Sequence, residues 1–135
     1  MHLFDIVLIT IISLYSNSGQ DIRSLFNGKN LDGWEVIQFE GYGNISIADS
    51  SIIIEKGKEI SGIRWTGDFS KTNYEVILDA RRIEGSDFFC GITFPVKESF
   101  LTLVAGGWGG SMVGLSCIDG FDAANNFTGN SFNFE

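Results

Sequence analysis

The charged side chains of this sequence fall in patterns that bear directly on chemistry. In the stretch Tyr74-Glu75-Val76-Ile77-Leu78-Asp79-Ala80-Arg81, the charged residues Glu75, Asp79 and Arg81 alternate with Tyr74, Val76, Leu78 and Ala80. A strand with that period puts the three charged groups on one wet face and the apolar groups on the other. A carboxylate so placed can act as a general base, and a neighbouring cation can stabilise developing negative charge. Glu75 and Asp79 are four positions apart, about 13 Å at ~3.3 Å per residue, so each would act alone on any one atom. The plain alternative is a solvated strand face with Arg81 in a surface ion pair.

Further candidates sit later in the chain. Asp87 follows Glu84-Gly85-Ser86, where a carboxylate can bind substrate or cap a turn. Asp119, Asp122, Asn125 and Asn126 gather oxygen atoms in one loop, as Ca²⁺ binding requires, although the spacing is not that of an EF-hand and turn chemistry accounts for it equally. Gly106-Gly107-Trp108-Gly109-Gly110 has no Lys and precedes no helix pattern, which argues against a phosphate cradle. Four glycines around Trp108 suit a tight loop offering one aromatic face to a sugar ring; a buried Trp plugging the core is the alternative. Cys90 and Cys117 lie on different expected strands and read as free thiols, with a disulfide as the other option. The single histidine, His2, stands near the N-terminus, so neither thiol has a base partner for nucleophilic catalysis. Two glycosylation sequons occur, Asn44-Ile45-Ser46 and Asn126-Phe127-Thr128.

The elements that would position these residues are strands. The chain has 135 residues, of which 44% are hydrophobic and 19% charged, enough for the core of one domain and too apolar for disorder. Its net charge of -8 disfavours nucleic acid and anionic membrane surfaces as partners. Seventeen Gly, one Pro and twelve Phe describe strands joined by tight turns. Strands are expected at 34–39, 44–48, 51–55, 60–66, 74–83, 88–94, 100–105 and 112–118, with a hairpin turn at Glu84-Gly85-Ser86. Eight short strands at that spacing indicate an all-β antiparallel sandwich or barrel. A short capped turn is expected at 21–25.

The apolar run at 3–14, followed by Ser16-Asn17-Ser18-Gly19, has the form of a secretory leader occupying residues 1–18. It lacks a basic start and carries Asp5, and a buried N-terminal strand is the competing reading. Cleavage after Ser18 would remove one acidic residue and no Lys or Arg, leaving the chain acidic and without a transmembrane helix. A protein so processed is secreted, periplasmic or held at the cell surface.

Ser24-Leu25-Phe26-Asn27-Gly28-Lys29-Asn30-Leu31-Asp32-Gly33-Trp34 resembles the opening motif of the 3-keto-disaccharide hydrolase family. Asn73-Tyr74-Glu75-Val76-Ile77-Leu78-Asp79-Ala80-Arg81 is similar to that family's central acidic strand, and Cys90-Gly91-Ile92 falls where it usually has Ser-Gly-Ile. The resemblance implies a concanavalin-A-like, jelly-roll sandwich over 19–135 and cleavage of 3-keto-glucosides by 1,2-elimination and hydration. No redox cofactor would be needed. Glu75, Asp79 and Asp119 become the catalytic candidates, and Trp108, Arg81 and Asp87 the candidates for binding substrate. The chain departs from the family where Gly114-Leu115-Ser116-Cys117-Ile118-Asp119 replaces a strand bearing Glu and Gln, and where Thr93-Phe94-Pro95 replaces an Arg. Those losses favour a second reading, a noncatalytic carbohydrate-binding or surface module on the same sandwich. Family domains also continue with further strands, so a sandwich incomplete at its C-terminus is expected.

Overall fold

In the computed structural model, residues 5–9 and 22–134 are described. The fold is all-β: ten short strands, all paired antiparallel, with one helical turn at Gly107–Gly110 among the described residues. The chain divides into two compact units, Met1–Gly85 and Ser86–Glu135. No helix among the described residues is long and apolar enough to cross a membrane.

The first unit holds β1 (Asp5–Ile9), β2 (Trp34–Val36), β3 (Ile45–Ala48), β4 (Ser51–Glu55), β5 (Ile63–Trp65) and β6 (Asp79–Arg82). They form a four-stranded sheet in the order β3-β4-β1-β6 and a separate β2-β5 ribbon. β3 and β4 are joined by Asp49 and Ser50, both at positive φ, a conformation matched to the twist of a two-residue hairpin. The apolar run Ile52-Ile53-Ile54 suits a strand paired on both sides, and Ile52 is the largest completely buried side chain among the described residues.

The segment at 24–34 is a structural clasp. Leu25 and Phe26 are buried, and the Trp34 indole N–H donates to the Leu25 carbonyl at 2.7 Å. Asn27 Oδ1 accepts from the N–H groups of Lys29 and Asn30, which shapes the loop, and no helical turn forms at 22–25. Trp34 and Trp65 stand opposite each other across β2 and β5, their rings edge to face at 5.5 Å. Gly33, at φ +80°, lies so close to Trp65 that an added Cβ would sit 2.4 Å from the ring. Only glycine meets both demands.

The second unit is the sheet β10-β9-β8-β7, built from β7 (Cys90–Val96), β8 (Ser99–Gly106), β9 (Met112–Ser116) and β10 (Asn130–Ser131). Pro95 is tolerated because β7 is an edge strand. The Thr93 and Thr102 hydroxyls bond across the β7–β8 ladder at 2.8 Å. Cys90, Val104 and Ala123 form its buried apolar centre.

A strand stands at each of the eight expected places, several of them shorter than the sequence pattern. The expected hairpin at Glu84-Gly85-Ser86 is replaced by the boundary between units, since β6 pairs with β1 and β7 pairs with β8. Of the proposed leader, Asp5–Ile9 forms β1, the strand reading considered beside it; the rest of 1–18 lies outside the described residues.

Cys90 is buried and Cys117 exposed, and both are free. Burial pushes the Cys90 thiol up to about 11 from its ordinary 9.0. The unfolded chain therefore ionises this thiol first, so its contribution to stability is whole below pH 9.0 and is lost as pH rises towards about 11. Iodoacetamide at pH 8 should label Cys117 and spare Cys90 in the native protein, as peptide mass mapping would reveal. Gly33→Ala should lower stability by about 1 to 3 kcal/mol in urea melts. Gly91→Ala, where an added Cβ meets nothing within 4 Å, should leave the midpoint nearly unchanged.

Candidate functional site

The most unusual backbone in the second unit surrounds Trp108. β8 ends at Gly106, and the chain returns to β9 through Gly107–Gly110 with Gly106, Trp108, Gly109 and Gly110 all at positive φ. Gly106 is required by contact, because a Cβ there would lie 2.7 Å from that of Phe89. Gly107 is equally confined, with Val104 Cγ1 2.8 Å from the position a Cβ would take. Trp108 itself has φ 47° and ψ 58°, a left-handed conformation that costs a bulky L-residue about 1 to 3 kcal/mol.

That strain is not offset by burial. Trp108 is 46% exposed and its ring neighbour Phe88 47% exposed, with centroids 5.7 Å apart and planes inclined at 40°. The reading of Trp108 as a core plug is thereby corrected: its ring is open to solvent. Asp87 supports the arrangement, its Oδ1 accepting from Phe88 N–H at 2.9 Å and Gly109 N–H at 3.0 Å. Asp87 thus caps its own segment and ties it to the Trp108 turn, so that two segments of the chain hold one aromatic surface.

The other candidates stand elsewhere. Glu75, Asp79 and Arg81 are exposed in the first unit, alternating with half-buried Tyr74, Val76, Leu78 and Ala80 as the sequence pattern requires. Only Asp79–Arg82 is laddered, its pairing with β1 beginning at Ile9↔Asp79. Among the described residues Arg81 makes no ion pair. Asp119 and Gly120, both at positive φ, form the two-residue loop between Ile118 and Phe121, whose backbones exchange hydrogen bonds at 3.1 and 2.9 Å. Asp-Gly is favoured in that loop for conformational reasons alone.

Two of the oxygen atoms considered for calcium, Asp122 Oδ1 and Asn126 Oδ1, are committed to bonds within the loop. Asp122 Oδ1 accepts from Ala124 N–H and Asn125 Nδ2, and Asn126 Oδ1 accepts from Thr128 N–H and Oγ1. Asn126 Nδ2 reaches the carbonyls of Leu115, Phe121 and Asp122. No group of three or more His, Cys, Asp or Glu among the described residues is arranged to hold a metal ion. Asn126 is therefore the knot of this loop, a role hidden in the sequence because its partners are main-chain atoms. The amide nitrogen that a glycan would occupy is already bonded within the loop. Asn44, in the other sequon, is exposed, and its side chain donates to Glu55 Oε1 at 3.2 Å.

β9 holds the same loop through two small residues. Ser116 Oγ, buried, accepts from Ala123 N–H at 3.0 Å, and Gly114 leaves room for Ala123 and Gly129 at 3.1 and 3.2 Å from the position a Cβ would occupy. Gly114 and Ser116 lie in the stretch 114–119 that was read as a departure from the expected motif, and here they seat a loop. The sequence marked them as departures without indicating what filled the space.

Comparisons with protein-family models, curated proteins and solved structures return no match.

Trp108→Gly should leave stability unchanged or raise it by up to about 1 kcal/mol, because it relieves the left-handed strain and empties no core. A buried plug would instead cost about 3 to 5 kcal/mol. Asp87→Ala should cost about 1 kcal/mol, and Asp87→Asn, which keeps an acceptor oxygen, less. Thermal melts of the three variants rank these effects.

Proposed function

We propose that this chain is a carbohydrate-binding β-domain whose contact surface is the Trp108–Phe88 pair. The observation carrying the proposal is a strained tryptophan held open to solvent by Asp87. An exposed aromatic ring offers a flat apolar surface to the C–H face of a pyranose, and backbone strain at an exposed residue has no evident stabilising purpose. The acidic chain favours neutral or cationic sugars over uronates or phosphates. Through its opening motif and acidic strand, the domain is proposed as a divergent relative of the 3-keto-disaccharide hydrolases, with a concanavalin-A-like sandwich and a secreted or surface location. The seating of the 121–129 loop by Gly114 and Ser116 supports binding over catalysis on β9.

The second reading is elimination on a 3-keto-glucoside. It is favoured by β6, which sets Asp79 and Arg81 two residues apart on one exposed face, about 6.6 Å along the strand at ~3.3 Å per residue. A carboxylate can take the proton made acidic by the C3 ketone while a cation stabilises the enolate. Glu75 is a further base candidate on that face, whereas Asp119 stands in a turn that accounts for it without chemistry.

Retention on insoluble polysaccharide should fall roughly tenfold in Trp108→Ala, about 1.4 kcal/mol, with the fold kept by circular dichroism. Unchanged retention removes Trp108 from the site. Incubation with a 3-keto-glucoside and with its unoxidised parent separates the two readings. Release from the ketone alone, lost in Asp79→Asn, establishes elimination; release from neither, with binding intact, leaves the binding module.

A further inference from the structure

The N-terminal strand holds a singular position in the first sheet. β1 lies between β4 and β6, pairing Asp5–Leu8 with Ile52–Glu55 on one side and Ile6–Ile9 with Asp79–Arg82 on the other. β4 has β3 as its other neighbour, whereas β6 stands at the sheet edge with β1 as its sole ladder partner among the described strands. Two strands distant in sequence are thus joined through five residues. Those five belong to an apolar stretch followed by Ser16-Asn17-Ser18, the pattern of a segment that is cut away. The backbone groups that β1 satisfies on β4 and β6 would then need another strand or water.

We propose that the space between β4 and β6 is a strand-acceptor slot, with Asp5–Ile9 as its exchangeable occupant in the uncut chain. Once the N-terminal segment is severed, the slot takes an extended apolar peptide running antiparallel to both neighbours. The chemistry of the occupant follows from the ladder. A central strand needs unbroken N–H and C=O groups on both edges, so Pro is excluded. Register on this sheet is given by Asp5 opposite Glu55 and Ile9 opposite Asp79, so the slot admits a segment of about five paired residues. Main-chain bonding supplies the attachment, as in other cases where a peptide adds a strand to a sheet. The inference is independent of the carbohydrate binding proposed for Trp108 and Phe88, which belong to the other unit.

The test uses the full chain with a specific protease site inserted between Ser18 and Gly19, cut after folding. Hydrogen exchange followed by mass spectrometry reads those amides of 79–82 that face β1, every second one in an antiparallel ladder, because β1 is their partner. In the uncut chain they should be protected. After cutting and removal of the released segment, their exchange should quicken roughly tenfold or more. A synthetic peptide of residues 3–12 should restore protection at a saturable concentration, and the same peptide with Val7→Pro should not. Lack of protection at the β1-facing amides of 79–82 in the uncut chain overturns the proposal, as does protection that survives loss of the segment. If the cut protein precipitates, the outcome is read with peptide present throughout: rescue by the native peptide and not by the Val7→Pro peptide supports the slot, and precipitation with both overturns it.

Discussion

Eight of the ten described strands have five residues or fewer, and a short strand leaves N–H and C=O groups that only a neighbour can satisfy. That requirement organises the remaining structure. Where neighbours are close in sequence, two-residue loops with left-handed residues bring them together, as Asp49-Ser50 does for β3 and β4. Lys97, at φ 55°, helps turn β7 back into β8 in the same way. Elsewhere pairing crosses long stretches of chain: Trp34 meets Trp65, and Asp5–Ile9 meets two separate strands. Side-chain devices then fix those distant pairings, chief among them the clasp of Leu25, Trp34 and Trp65.

Among the described residues few apolar side chains are fully buried, Ile52 being the largest, and polar side chains bonded to the backbone carry much of the organisation. In the second unit Asn126 gathers three carbonyls and Ser116 holds one N–H, doing for the 121–129 loop what a larger core would do by packing. The consequence is specificity of shape. A loop held by directional bonds tolerates little variation at Gly114, Ser116 or Asn126, whereas Phe121 and Phe127 at its surface are exposed and free of that constraint.

Much of this was legible in the sequence because strand position and side-chain alternation are local properties. Ser51–Glu55 was read to the residue, and the wet face of Glu75, Asp79 and Arg81 follows directly from period two. Pairing is not local, which is why the hairpin read at Glu84-Gly85-Ser86 is instead a boundary and why β10, only Asn130–Ser131, left no pattern to detect. The candidate residues divide for the same reason. Asp87 and Trp108 come together through a bond to Gly109 N–H that sequence distance conceals, while Asp119 is explained by the Gly120 beside it. Composition suggested an aromatic contact at Trp108, but whether the ring was buried or open depended on backbone angles that residue types alone do not specify.

The three tryptophans are distributed so that each unit carries its own optical reporter. Trp34 and Trp65 lie edge to face at 5.5 Å with planes inclined at 70°, close and skewed enough for their indole transitions to couple and give a paired circular-dichroism band. Such a band would depend on the β2–β5 ribbon and should vanish when the clasp opens. Trp108, 46% exposed, should emit to the red of a buried indole and be accessible to collisional quenchers. One unlabelled sample therefore shows, through two separate signals, whether the units melt together or apart.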